Sequence, residues 1–336
     1  VFRQIIVILG LSAALLNRLS HSARNRGLGR LMLPLGLGAL LVAAAPAGAN
    51  DAAVPGKPTT TTSRQGGALF KIQRAGHSAY VFGTIHVGRA DFYPLDGKVL
   101  QALQHSSCIA LEIDPNNAQA LAPLMAKYGV YADGKPHQKD LPAALQKDLG
   151  ALLEKYGVTP ASVANLKPWL LATVLGISEY TSQGYLPQYG VDTNLANFAK
   201  SSNKRLVELE TPEQQLSLLG SLSDSEQIQF LQDSVDEIQD PVKAQRSLQL
   251  ITLWRNGDTD GLAAMLAEMT GEDTFTGRFV QRALLDGRNP GLADGIDKLT
   301  NASPDAFVGV GMLHLVGANS VLTLLQQRGY TVQRVY

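Results

Sequence analysis

Ala79-Tyr80-Val81-Phe82-Gly83-Thr84-Ile85-His86-Val87-Gly88 decides how this chain is read. Its plan recurs near the other end, in Ala306-Phe307-Val308-Gly309-Val310-Gly311-Met312-Leu313-His314. In both stretches an apolar, strand-like run leads into a Gly-x-x-His tetrad, and a further glycine, Gly88 or Gly317, follows within three residues. Such glycines permit left-handed or crowded backbone geometry. After Gly88, the residues Leu95, Val99, Leu100 and Leu103 fall on one helical face, and 108–113 reads as the next strand. After Gly317, the residues Val321, Leu322, Leu324 and Leu325 mark a helix expected to stop at Gly329, and 330–336 alternates as a closing strand. Strand, tetrad, helix, strand is a β-α-β unit, and such units build parallel sheets. The expectation is an α/β fold: a mostly parallel central sheet made of two pseudo-equivalent halves, each carrying one tetrad.

The chain between the halves is mostly helical in pattern. Periodicity near 3.6 residues runs through 143–156, 169–180, 193–200, 213–222, 224–238, 241–254, 261–269 and 275–285. One strand interrupts them at 205–209, and 69–73 with 79–82 flank Arg74-Ala75-Gly76-His77 as a hairpin. No long linker divides the chain. A single domain over 68–336 is expected, with a helical insertion at about 115–290 that can wall or cover a cleft.

The N-terminal residues carry a different message. Arg24, Arg26 and Arg30 precede an apolar run at 31–45, and Ala47-Gly48-Ala49 forms an A-x-A cleavage signal. This reads as a signal peptide over 1–49, an uncleaved anchor being the alternative, and it predicts a periplasmic or secreted product. The earlier apolar run at 5–16 is too short to span a bilayer, so no stable transmembrane span is expected after cleavage. Residues 50–67, rich in Pro, Gly and Thr, read as a disordered lead-in. The first 49 residues contain five arginines and no acid; without them the 29 basic residues fall to 24 against 29 acidic, a net charge of about −5. A weakly acidic body argues against nucleic acid as partner. The single cysteine, Cys108, lies in an apolar strand-like run and reads as an inert core residue.

His86 and His314 are the first candidates for chemistry, because loops at the carboxyl ends of parallel strands are where α/β sheets place ligands. Glu112 follows, a charged residue in Leu111-Glu112-Ile113 that is costly to bury unless paired or ligated. It reads as a metal ligand or general base, or as an exposed strand-end acid. Glu210 closes the 205–209 strand and suits the same cleft. Asp192 is a helix N-cap or a functional residue, and Arg288-Asn289 is a carboxylate or phosphate binder or a surface turn. Two imidazoles and a carboxylate suit Zn²⁺, Mn²⁺ or Co²⁺ with a position open for water. Gly129–Lys135 matches a phosphate-loop pattern but has Pro136 where Ser or Thr is needed, and no G-x-S-x-G elbow exists. His77, His105 and His137 sit in polar or turn-like settings and are expected to face solvent.

Several ordered segments resemble one family. Phe82-Gly83-Thr84-Ile85-His86-Val87-Gly88, Ala110-Leu111-Glu112-Ile113-Asp114 and Val310-Gly311-Met312-Leu313-His314-Leu315-Val316-Gly317 look like the TraB/GumN family, which is related to the Tiki metalloproteases. Lys167-Pro168-Trp169, Gly190-Val191-Asp192, Leu209-Glu210-Thr211-Pro212-Glu213-Gln214-Gln215 and Arg288-Asn289 fit the same order, so the resemblance covers 68–336. It implies a divalent-metal-dependent peptidase in which His86, His314 and Glu112 are essential. Glu210 joins the catalytic set, with Asp192, Arg288 and Asn289 as support or substrate clamp. The partner expected is a peptide or protein substrate. The GumN-like branch, whose namesake accompanies exopolysaccharide genes, keeps an alternative open: a non-catalytic accessory protein of exported polysaccharide machinery.

Overall fold

The computed structural model describes residues 66–336. The signal peptide and nearly all of the lead-in read from the sequence lie outside these residues. Six strands form one sheet: β1 (Leu69–Arg74), β2 (His77–Thr84), β3 (Cys108–Leu111), β4 (Arg205–Glu208), β5 (Ala306–Gly311) and β6 (Thr331–Arg334). Their order is β4-β3-β5-β2-β1-β6. The pairs β4/β3, β3/β5 and β5/β2 are parallel, and β1 is antiparallel to both β2 and β6. The expected α/β fold with a mostly parallel sheet is what the chain adopts. The two tetrad halves interleave, however: β5 lies between β2 and β3, so each half completes the other's sheet.

Local chemistry explains the strands. All residues of β3 and of β5 are buried, as suits strands covered on both faces. The β1–β2 hairpin turns at Ala75 (φ 49°) and Gly76 (φ 83°), the two positive φ values of a turn whose twist matches the strands. Gly317 has φ 87°, and a Cβ on Gly88 would lie 2.2 Å from the Tyr189 carbonyl oxygen. The expected left-handed and crowded positions are therefore both present.

The helices are α1 (Gly97–His105), α2 (Ala118–Gly129), α3 (Ala143–Lys155), α4 (Pro168–Ser182), α5 (Val191–Ser201), α6 (Pro212–Gly220), α7 (Asp224–Gln239), α8 (Pro241–Arg255), α9 (Thr259–Gly271), α10 (Phe275–Phe279), α11 (Asn289–Ala302) and α12 (Val321–Gln327). Most of α4 is buried, so it is the centre of the helical insertion rather than an amphipathic cover. Trp254, at the end of α8, is fully buried and donates its indole N–H to the Gly83 carbonyl at 2.9 Å, fastening the insertion to the first tetrad. Two helices escaped the sequence reading. Pro123 breaks the pattern of α2, and glycines at 291 and 295 dilute that of α11. The stretch 275–285, expected as one helix, divides into α10 and a π-helix, Val280–Asp286. Among the described residues, no helix is long and apolar enough to cross a membrane.

Candidate active site

Four adjacent parallel strands deliver one polar residue each to the same edge of the sheet. Along the order β4-β3-β5-β2 these are Glu210, Glu112, His314 and His86, each one to three residues beyond its strand. The tetrads stand one residue out of step, Gly83 opposite Val310 and Thr84 opposite Gly311. The pairing of β3 and β4 continues past the strands through Leu209 N–H to Leu111 O (2.8 Å) and Glu210 N–H to Glu112 O (2.9 Å), which sets the two glutamates side by side.

Glu112 is 5% exposed, so it is no strand-end surface acid. Its Oε1 accepts from the Gly311 N–H at 2.6 Å and its Oε2 from Arg288 Nη2 at 2.5 Å. The same guanidinium donates to Glu210 through Nε (2.9 Å) and Nη2 (2.6 Å). Gln215 Nε2, from α6, donates to Glu210 Oε2 at 2.9 Å and reaches Glu112 Oε2 at 3.4 Å. Arg288 is 6% exposed and is not a surface turn residue. Burial works against its charge, but the charges and hydrogen bonds of Glu112 and Glu210 outweigh it and raise its pKa. It does bind carboxylates, those of its own chain. The π-helix leads directly into this corner, and wide turns of that kind recur at functional sites.

Each histidine has a side-chain oxygen close to its Nδ1, aligned for a hydrogen bond at His314 only. Asn289, at the start of α11, donates from Nδ2 to the Asn319 carbonyl at 2.8 Å. A carbonyl only accepts, so the amide is oriented and its Oδ1 faces His314 Nδ1 at 2.6 Å. His314 must therefore carry its proton on Nδ1 and a lone pair on Nε2. Burial, then the nearby Arg288 charge, hold its pKa well below 6.5, so the ring is neutral. His86 Nδ1 lies 2.8 Å from Asp192 Oδ2, in the first turn of α5. Gly190 caps that helix, so Asp192 is free of the capping role and is buried against His86. Burial lowers the His86 pKa, but Asp192, aided by Glu112, reverses this and leaves it raised above 6.5. The Nε2 atoms of both rings are buried and have no hydrogen-bond partner among the described residues.

Every residue singled out for this cleft is thus brought to it: His86, Glu112, Asp192, Glu210, Arg288, Asn289 and His314. Gln215 was not singled out as a site residue. A glutamine on the buried face of α6, in step with Pro212, Leu216 and Leu219, was the signal for it. Asp114 is a turn residue whose Oδ1 accepts from the Asn116 N–H at 2.9 Å. Cys108 is buried, His105 is exposed, and His77 and His137 are partly exposed.

A divalent ion would ask for nitrogen and oxygen donors with free lone pairs. His86 Nε2 and His314 Nε2 qualify, and Glu112 Oε1 stands 3.9 Å from His314 Nε2. The donor types fit an ion of zinc or manganese kind. Their spacing is wider than that of a bound ion, and among the described residues no three His, Cys, Asp or Glu side chains stand at metal-holding distance. Between Thr84, His86, Glu112, Asp192 and Gln215 remains a cavity of about 10 Å³, roughly the room of one water.

Comparison with known proteins places the chain. An uncharacterized protein YbaP of Shigella flexneri is 24% identical over 250 residues, covering 74% of this chain and 88% of that protein. The uncharacterized protein YbaP of Escherichia coli (strain K12) is 24% identical over 249 residues, covering 74% and 87%. No solved structure matches. The TraB/PrgY/gumN family model matches residues 68–334, the whole sheet and every element that reaches its carboxyl edge, and the chain belongs to that family.

Proposed function

We propose that this protein is an exported, divalent-metal-dependent hydrolase of peptide bonds, centred on His86, His314 and Glu112. One observation carries the reading. Two buried imidazole Nε2 atoms without partners stand just past the ends of neighbouring strands, with a hydrogen bond to Asn289 at His314 Nδ1 and the Asp192 carboxylate 2.8 Å from His86 Nδ1. A carboxylate or carbonyl oxygen on the far nitrogen is how proteins fix the tautomer of metal-binding histidines. His86 Nε2, His314 Nε2 and Glu112 would hold the ion, and Mn²⁺, Co²⁺ or Zn²⁺ there would polarise the scissile carbonyl and make water a better nucleophile.

The remaining roles belong to the chain itself. Asp192 orients the His86 ring, and Asn289 keeps the His314 lone pair on Nε2. Arg288 balances the charges of Glu112 and Glu210 and fixes Glu112 in place, which lets two carboxylates stand together in a buried site. Glu210, with both oxygens engaged by Arg288 and Gln215, anchors that arginine. Burial of the centre keeps bulk water from competing. The basic, apolar and A-x-A pattern of residues 24–49 supports export.

The test is calorimetric titration of the purified protein with Mn²⁺, Co²⁺ and Zn²⁺, beside a His86→Ala/His314→Ala double variant, followed by a peptide-library screen. One ion per chain, lost in the variant, together with cleavage, is expected. Failure of the wild type to bind any of the three would remove the metal mechanism, and the accessory role in polysaccharide export would take its place.

A further inference from the structure

We propose that the cavity between Gln215, Asp192 and His86 is a site for one water molecule, and that Gln215 holds and aims it. The use of that water as the nucleophile rests on the hydrolase reading above; the site itself does not.

Two buried acceptor oxygens belong to the residues lining this cavity: Gln215 Oε1 and Asp192 Oδ1. Neither has a hydrogen-bond partner among the described residues. Gln215 is only 2% exposed, so solvent does not satisfy it. Its amide cannot be turned the other way, because Nε2 is needed by Glu210 Oε2 at 2.9 Å, and a carboxylate oxygen accepts only. Oε1 is thereby the free end. An acceptor buried without a partner is costly, and two around one cavity call for an occupant that donates hydrogen bonds.

Water matches both requirements. The space, about 10 Å³, is that of one water. Its two protons satisfy these two acceptors, which turns its oxygen lone pairs toward the remaining side of the cavity, where an electrophile would arrive. A neutral amide is the suitable holder. It accepts an O–H without taking the proton, and a glutamate at 215 would add a third carboxylate beside Glu112 and Glu210.

A crystal structure of the intact protein at high resolution tests this. A single water peak is expected within about 2.6–3.2 Å of Gln215 Oε1 and at similar distance from Asp192 Oδ1. Gln215→Leu should lose the peak. On a fluorogenic peptide found in the library screen, Gln215→Leu should lower kcat on the order of 10²-fold with KM unchanged, as a misplaced reactant does. If Gln215→Leu fails to fold by circular dichroism, Gln215→Met replaces it. A wild-type cavity without the peak, a peak that survives in Gln215→Leu, or an anomalous metal peak ligated by Gln215 Oε1 would overturn the proposal. The water present without cleavage of any peptide would sink the hydrolase reading and leave the site standing. Cleavage with a dry cavity would do the reverse.

Discussion

Arg288 decides the electrostatics of this protein at the scale of single residues. It is buried with two carboxylates, and the guanidinium fork reaches both. A buried ion cluster of this kind adds little net stability, because desolvation offsets attraction, but losing one member leaves the others uncompensated. Arg288→Ala is therefore expected to destabilise the protein by about 3–5 kcal/mol at neutral pH, read as a shift in the urea midpoint. A change under about 1 kcal/mol would mean that Glu112 and Glu210 are solvated and that the burial described here is wrong. The same residue marks a limit of sequence reading. Arg288-Asn289 stands out in the chain, but its partners lie 78 and 176 positions away, and no local pattern encodes them.

At the scale of elements, short signals around the site are read correctly when they are local. Thr211 caps α6 by accepting from the Gln214 N–H, and Gln214 returns a bond to the Thr211 N–H. This capping box, with its N-cap one residue after Glu210, fixes the start of the helix that carries Gln215. Thr211→Ala should cost about 1 kcal/mol, measured by chemical denaturation. No measurable loss would show that packing alone sets the helix start. The π-helix at Val280–Asp286 is the opposite case. Its residues keep helical periodicity, so the sequence reads as one α-helix, and the wider turn appears only once the chain must deliver Arg288 and Asn289 to the sheet edge together. The hairpin at Ala75-Gly76 and the strands 79–82 and 306–310 needed no such context, because turn chemistry and apolar runs are local properties.

For the whole molecule, the two site histidines pull stability in opposite directions with pH. His314 is buried neutral with its pKa depressed, chiefly by burial. The unfolded chain takes up a proton near 6.5 and the folded one resists it. The stability that neutral His314 confers is present above 6.5 and is lost as pH falls from there toward the lowered folded value. His86 has its pKa raised despite burial, through Asp192, so its contribution is fully present below 6.5 and is lost as pH rises through the folded value. In metal-free protein, Tm should fall between pH 7 and pH 5 more steeply for the wild type than for His314→Gln. Parallel curves would mean that His314 takes up a proton in the folded state after all.

The sequence by itself determined the six strands and most of the helices, the two tetrads, and the positions of His86, Glu112, Glu210 and His314 at strand ends. These follow from apolar periodicity, turn residues and the cost of placing a charge in an apolar strand. Only the tertiary structure decided that β5 enters between β2 and β3, which brings the two histidines and Glu112 onto adjacent strands. It alone decided that Asp192 serves His86, that Asn289 serves His314, and that Gln215 faces the cavity. The physical reason is the range of the forces involved. Backbone preference and periodicity act over a few residues, whereas burial and hydrogen-bond pairing join distant segments, such as Glu112 and Gly311, 199 positions apart.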